Sequence, residues 1–212
     1  MARNAIGLPG PPKILFQHNV ESEIYRRHAD SDLHWLRRAY MGLQCRKMRA
    51  FEARAGRRFD AVIAVSERDR EIFEREYGWQ HVHTIDTAVD IEYFQACGTA
   101  PKRKNVVFLG SMDWLPNSDG AAHFAHSIWP NIRQSHPDAT FTIVGRNPTP
   151  MVSRLASLSG ITVTDTVPDV RPYLQTASVV VVPLLVGGGT RIKIFEAMAA
   201  SRPVVSTTLG AA

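Results

Sequence analysis

Cysteine is scarce: Cys45 and Cys97 are the only two among 212 residues. They carry no metal-ligand spacing, which argues against a cysteine-held metal and for free thiols in a reducing compartment. No His/Cys cluster with ligand spacing appears elsewhere, so no metal is expected. No apolar run reaches the roughly 18 residues of a membrane span. The opening MARNAIGLPGPPK has no apolar core of signal-peptide length. No internal repeat or low-complexity tract is present. No recognised nucleic-acid module accompanies the net charge of +5 and the pI near 9.5, so nucleic acid is not an expected partner. Together these features place the expected location in the cytoplasm.

What is present suits a soluble α/β protein. With 44% hydrophobic residues, the chain can form one large domain or one and a half small ones around a sizeable core. The basic excess concentrates early, in Arg26, Arg27, Arg37, Arg38, Arg46, Lys47, Arg49, Arg54, Arg57 and Arg58. Leu33, Leu36, Tyr40, Leu43 and Met48 recur among them at helical spacing, which predicts a long amphipathic helix over 31–55. Such a helix can lie on an anionic membrane, here the inner face of the cell membrane. A solvated helix face is the simpler reading and is preferred.

Upstream, strands are predicted at 14–16, 61–65 and 82–85. Ser66 is placed to cap a helix through Glu76, with Glu67 and Asp69 suited to its dipole. Residues 91–104, with Gly98, Pro101 and a Lys-Arg-Lys run, read as a linker between a domain over 1–90 and another over 105–212. Strands then alternate with helices: 106–109, 140–144, 161–164, 179–182 and 204–206 against 119–135, 151–157, 168–177 and 190–200. The alternation predicts a parallel, doubly wound, Rossmann-like sheet.

The most informative stretch is VVVVPLLVGGGTRIKIFEAMAASRPVVST, from Val179 to Thr207. An apolar strand ends in Gly187, Gly188 and Gly189, and a helix begins near Thr190. That order lets the backbone approach a ligand and aims free N–H groups and a positive dipole end at an anion. Arg191 and Lys193 add full charges. Glu196 follows where a carboxylate can reach hydroxyls beside the anion. Diphosphate plus ribose is the simplest ligand that fits. The bland alternative is a tight turn with Lys193 and Glu196 as an i,i+3 pair. The stretch is neither a P-loop nor GxGxxG.

The longer string GGGTRIKIFEAMAASRPVVSTTLGA resembles the donor-binding segment of family four of the retaining nucleotide-sugar glycosyltransferases, which have the GT-B fold. NVVFLGSMDWLPN (Asn105 to Asn117), FTIVGRN (Phe141 to Asn147) and VPDVRPYL (Val167 to Leu174) resemble further blocks of that donor domain, in order. HNVES (His18 to Ser22) and AVIAVSERD (Ala61 to Asp69) resemble the end of the acceptor-side domain. The resemblance implies a fragment: a remnant of one Rossmann-like domain and most of another. It also implies that the 212 residues alone do not catalyse transfer.

On that resemblance Glu196 contacts the donor ribose. Arg191, Lys193 and the N–H groups of Gly188, Gly189 and Thr190 take the diphosphate. Gly110 and Ser111 approach the ligand at a strand end, Arg146 faces the nucleotide, and Val167 meets the base through its backbone. His18 is the candidate catalytic, sugar-contacting residue on the acceptor side. The sequence departs from the family at five positions. Gly188 replaces a Glu, Asp165 and Ala88 replace glycines, and Ser111 and Asn117 stand where many members have Arg and Lys. The implied partners are a nucleotide sugar and a carbohydrate or lipid-linked acceptor, with no cofactor. The implied reaction is sugar transfer with retention, in polysaccharide or glycoconjugate synthesis. Two other readings remain: a non-catalytic nucleotide-binding module, and a GT-B-like sugar-nucleotide epimerase, which the GGGTRIKIFEAMAA string fits less well.

Overall fold

A computed structural model describes residues 6–7, 9–31, 34–95, 101, 104–186 and 190–211. The chain divides into two compact units, Met1–Thr87 with Val186–Thr190, and Ala88–Leu185 with Arg191–Ala212.

In the first unit β1 (Ile14–Gln17) leads into α1 (Glu21–Ser31) and α2 (Trp35–Gly56). Next come β2 (Ala61–Ala64), α3 (Glu67–Tyr77) and β3 (Val82–Thr84). The three strands form a parallel sheet in the order β1-β2-β3. Its core gathers Val20, Val62, Ala64, Phe73, Tyr77, Trp79 and Val82. Ser66 caps α3 as its sequence position predicts, accepting from Asp69 N at 3.1 Å. Gly78 ends that helix at φ 65°, a left-handed turn that suits glycine. Trp79 lies against the α2 terminus. A Cβ on Gly56 would fall 2.1 Å from its ring, so only glycine fits there.

The helix expected over 31–55 is α2, and α1 before it is a helix the sequence reading did not expect. The sequence of α1, ESEIYRRHADS, offers few apolar residues to reveal it: Ile24, Tyr25 and Ala29. The second helix, α2, does not bury the stripe assigned to it. Leu36, Tyr40 and Leu43 are exposed, and the buried residues of α2 are Glu52, Ala55 and Gly56 in its last turns. Leu33 lies outside the described residues.

The second unit opens with α4 (Ile91–Phe94), inside the stretch read as linker and capped by Asp90, whose Oδ1 accepts from Tyr93 N at 2.9 Å. It continues with β4 (Asn105–Leu109), α5 (Leu115–His123), a π turn over Phe124–Ile128 and α6 (Trp129–Ser135). The helix expected over 119–135 is therefore interrupted. Next are β5 (Thr140–Val144), α7 (Pro150–Arg154), β6 (Ile161–Val163), α8 (Arg171–Thr176) and β7 (Val179–Val182). Finally come α9 (Ile192–Ala199), β8 (Val204–Ser206) and α10 (Thr208–Ala211).

All five strands are parallel, in the order β6-β5-β4-β7-β8. Every residue of β4 is buried. Val106 and Phe108 enter the core on one face with Phe141, Ile143 and Trp129. Val107 and Leu109 enter the core on the other with Val180, Leu174 and Ala197. Covered faces on both sides explain why these strands read as unbroken apolar runs. This is a parallel, Rossmann-like α/β fold.

Candidate functional site

Strand order fixes where a ligand belongs. The chain runs outward from β4 to β5 and β6, then returns to the other side for β7 and β8. The order reverses between β4 and β7, and in such sheets ligands bind beyond the carboxyl ends of the strands at the reversal. Gly110 and Ser111 follow β4, Arg146 follows β5, and Arg191, Lys193 and Glu196 come from the segment after β7. The second unit thus brings these six sequence-predicted residues to one edge of its sheet.

The loops after β4 and β5 are laced together. Gly110 N donates to Val144 O at 3.0 Å, and Met112 N to Arg146 O at 2.9 Å. Gly145 makes this approach possible, since a Cβ there would fall 1.6 Å from Gly110 O. Arg146 Nε donates to Ser111 Oγ at 2.6 Å, and Asn147 Nδ2 to Asp113 Oδ2 at 2.9 Å. Asn147 takes a left-handed φ of 51° to do so. Its hydrogen bond, before the nearby Arg146 charge, holds the Asp113 carboxyl below the usual range.

Two cations come from the start of α9. Arg191 is only 7% exposed. Lys193 is half-buried and directs its ammonium toward β4. Its Nζ donates to Asn117 Oδ1 at 2.8 Å and lies 4.7 Å from the centre of the Phe108 ring. Asn117 is 4% exposed and is itself fixed, because its Nδ2 donates to Ser111 O at 2.8 Å. Gly110 leaves room for both groups: a Cβ there would lie 2.6 Å from Asn117 Nδ2 and 3.0 Å from Lys193 Nζ. Burial, then the Arg191 charge, brings the Lys193 ammonium down to about 7, and Glu196 opposes the fall. Burial pushes the Glu196 carboxyl up, with Lys193 pulling it back. A half-buried carboxylate and two cations at one helix start can meet an anion and adjoining hydroxyls together.

The remaining expected residues lie elsewhere. Val167 packs against the core face that holds Leu109 and Leu174. In the neighbouring loop Asp165 Oδ1 accepts from Thr166 N at 2.7 Å. Thr190 groups with the first unit, where its hydroxyl donates to Val65 O at 3.5 Å. Gly188 and Gly189 lie outside the described residues. His18, also in the first unit, follows β1 with its ring edge-on to Phe16 at 4.9 Å. Gly145 and the bond from Lys193 to Asn117 were missed by sequence reasoning. A glycine directly after a second strand end, paired with Gly110, was the available signal for the first. Nothing local in the sequence signals the second.

Among the described residues no three His, Cys, Asp or Glu side chains group as metal ligands, and no helix is long and apolar enough to cross a membrane. Asp30 and Asp32 form the one Asp-x-Asp of the sequence, and Asp32 lies outside the described residues.

Comparison with known proteins bears on the fold and the family. No curated protein sequence matches the chain. Among solved structures, Anabaena Alr3699/HepE in complex with UDP and glucose superimposes with a TM-score of 0.66 at 14% identity. The match covers 94% of this chain and 53% of that one. WaaG, a glycosyltransferase involved in lipopolysaccharide biosynthesis, gives 0.64 at 16% identity, covering 95% of this chain and 58% of that one. A mutant of S. aureus TarM in complex with fondaparinux, α-GlcNAc-glycerol and UDP gives 0.63 at 17% identity, covering 77% and 33%. The chain spans about a third to just over half the length of these neighbours. The family described as Glycosyltransferase Family 4 matches residues 1–93. Glycosyl transferases group 1 matches residues 103–212, more than half of the chain, and the chain belongs to that family.

Proposed function

We propose that this chain carries the donor site of a glycosyltransferase that moves a sugar from a nucleoside diphosphate to an acceptor hydroxyl with retention at the anomeric carbon. The observation that carries the reading is the cluster of Arg191, Lys193 and Asn117 at the reversal point of the second sheet. Its two cations and the first N–H groups of α9 would take the diphosphate and stabilise it as it leaves. Gly188, Gly189 and Thr190 would add backbone N–H groups. Glu196 would bind ribose hydroxyls, and Val167 would meet the base. Ser111 and Arg146 would border the phosphates, and His18 would contact the sugar from the acceptor side. The acceptor is a growing polysaccharide or a lipid-linked sugar. HepE and TarM are described with UDP bound, and WaaG with a role in lipopolysaccharide biosynthesis. A non-catalytic module or an epimerase has no comparable support.

Calorimetry with UDP, GDP and ADP tests the reading. One of them should bind, and Arg191→Ala should weaken it by about 1–3 kcal/mol, the scale of a lost charge-assisted hydrogen bond. Unchanged affinity in the variant would remove Arg191 from the site, and no binding by any of the three would remove the function.

The acceptor reading places the protein at the inner face of the cell membrane. From residue 34 to residue 40 every side chain is exposed, and Trp35, Leu36 and Tyr40 stand beside Arg37 and Arg38. Apolar and basic side chains together match an anionic lipid surface. Vesicles containing phosphatidylglycerol should sediment the protein and shift Trp35 emission to the blue. Equal binding to neutral phosphatidylcholine vesicles, or binding to neither, would refute the contact.

A further inference from the structure

Lys193 stands on a neutral partner. In most sites a half-buried ammonium faces a carboxylate, which neutralises it and fixes its proton. Here its hydrogen-bond acceptor is the Asn117 amide at 2.8 Å, and β4 offers it only the face of Phe108. The amide cannot turn over. Its Nδ2 is engaged by Ser111 O at 2.8 Å, so Oδ1 must face the lysine. The charged groups that bear on the ammonium come from its own segment: Arg191, which disfavours the charge, and Glu196, which favours it. From α5 the group presented is neutral Asn117, and the Arg146 side chain is tied to Ser111 Oγ at 2.6 Å. The positive charge is therefore held in place on a neutral acceptor, next to a second cation, where an anion is expected.

We propose that Asn117 is a positioning residue that holds Lys193 as a proton-dependent cation, so that the diphosphate of the donor binds the ammonium form and draws a proton onto Lys193 at neutral pH. This rests on the donor-site reading above. The sign follows from linkage. An anion raises the pKa of the lysine it contacts, so the contribution of Lys193 to affinity is complete below the free-protein value of about 7. It is lost as pH rises through the higher value in the complex. Arg191 stays charged throughout and gives no such dependence.

The test has two arms on the same protein. In the nucleotide-free protein, the Lys193 Cε resonance is followed by NMR of lysine-labelled protein, assigned by its loss in Lys193→Arg. The midpoint should fall near 7 in the wild type. It should rise by about one unit or more in Asn117→Asp, which supplies a countercharge in the same shape, and fall in Asn117→Leu. The second arm is calorimetry with UDP-glucose, whose diphosphate is esterified at both ends and does not itself titrate near neutrality. Affinity should drop on the order of tenfold from about pH 6 to about pH 8.5, with a buffer-dependent heat that reports proton uptake. Both effects should vanish in Lys193→Arg. A Lys193 midpoint at the ordinary lysine value, or UDP-glucose binding without proton uptake, overturns this proposal and leaves the donor site standing. Failure of UDP-glucose, UDP, GDP and ADP alike to bind overturns the donor site, and this proposal with it.

Discussion

Gly145→Ala is expected to destabilise the second unit by about 3 kcal/mol or more and to abolish nucleotide binding. An added Cβ would sit 1.6 Å from Gly110 O, far inside contact distance, and the atom it meets is backbone. No rotamer change can relieve that clash, so the loops after β4 and β5 must separate. Separation breaks the bonds from Gly110 N to Val144 O and from Met112 N to Arg146 O. Overpacking alone costs about 1–3 kcal/mol, and each buried backbone group left unpaired adds about 1–3. The same movement displaces Ser111 O, which orients Asn117 and through it Lys193. Urea unfolding followed by circular dichroism would measure the loss, and calorimetry with UDP the effect on binding. A midpoint within error of the wild type would mean that the two loops are not locked together.

The second sheet is legible in the sequence because it is covered on both faces. Runs such as NVVFL, TFTIV and VVVV need no alternation to be recognised as strands. Arg191, Lys193 and Glu196 are legible for the same reason: they follow a strand end within one short segment. Asn117 stands out in the sequence only as a position lacking a family lysine. Its bond to Lys193 spans 76 residues, and no periodicity in the sequence reports such a contact. The first unit is harder to read. The helix α1 has few apolar residues, and its start is held by a carboxylate from α2, a contact that local sequence does not report. The stripe on α2 suggests burial, yet Leu36, Tyr40 and Leu43 remain exposed. Periodicity reports the shape of a face and says nothing about what covers it.

Glu52→Ala should be the most damaging substitution in the first unit, at about 3–4 kcal/mol. Glu52 is 2% exposed, and its carboxylate accepts three hydrogen bonds. These come from Glu21 N at 2.8 Å, Ser22 N at 3.2 Å and Tyr77 OH at 2.8 Å. Ser22 Oγ closes the group on Tyr77 OH at 2.7 Å. The carboxylate thus occupies the positive end of α1, where a negative charge is favoured, and ties α1, α2 and α3 together. Burial, with Glu52 beside it, pushes the Tyr77 phenol up and keeps it a donor. Alanine would leave a buried and a part-buried N–H group and a hydroxyl without this acceptor, each costing up to about 1–3 kcal/mol before relaxation. Glutamine keeps the shape and one acceptor oxygen, so Glu52→Gln should cost about half as much. The motif that resembles an acceptor-side signature, HNVES, therefore has a structural task of its own: its Glu21 and Ser22 supply the N–H groups that Glu52 needs. Denaturant midpoints for Glu52→Ala, Glu52→Gln and Tyr77→Phe would check the order, with alanine lowest. If glutamine and alanine cost the same, the charge and the hydrogen bonds are not what hold α1 in place.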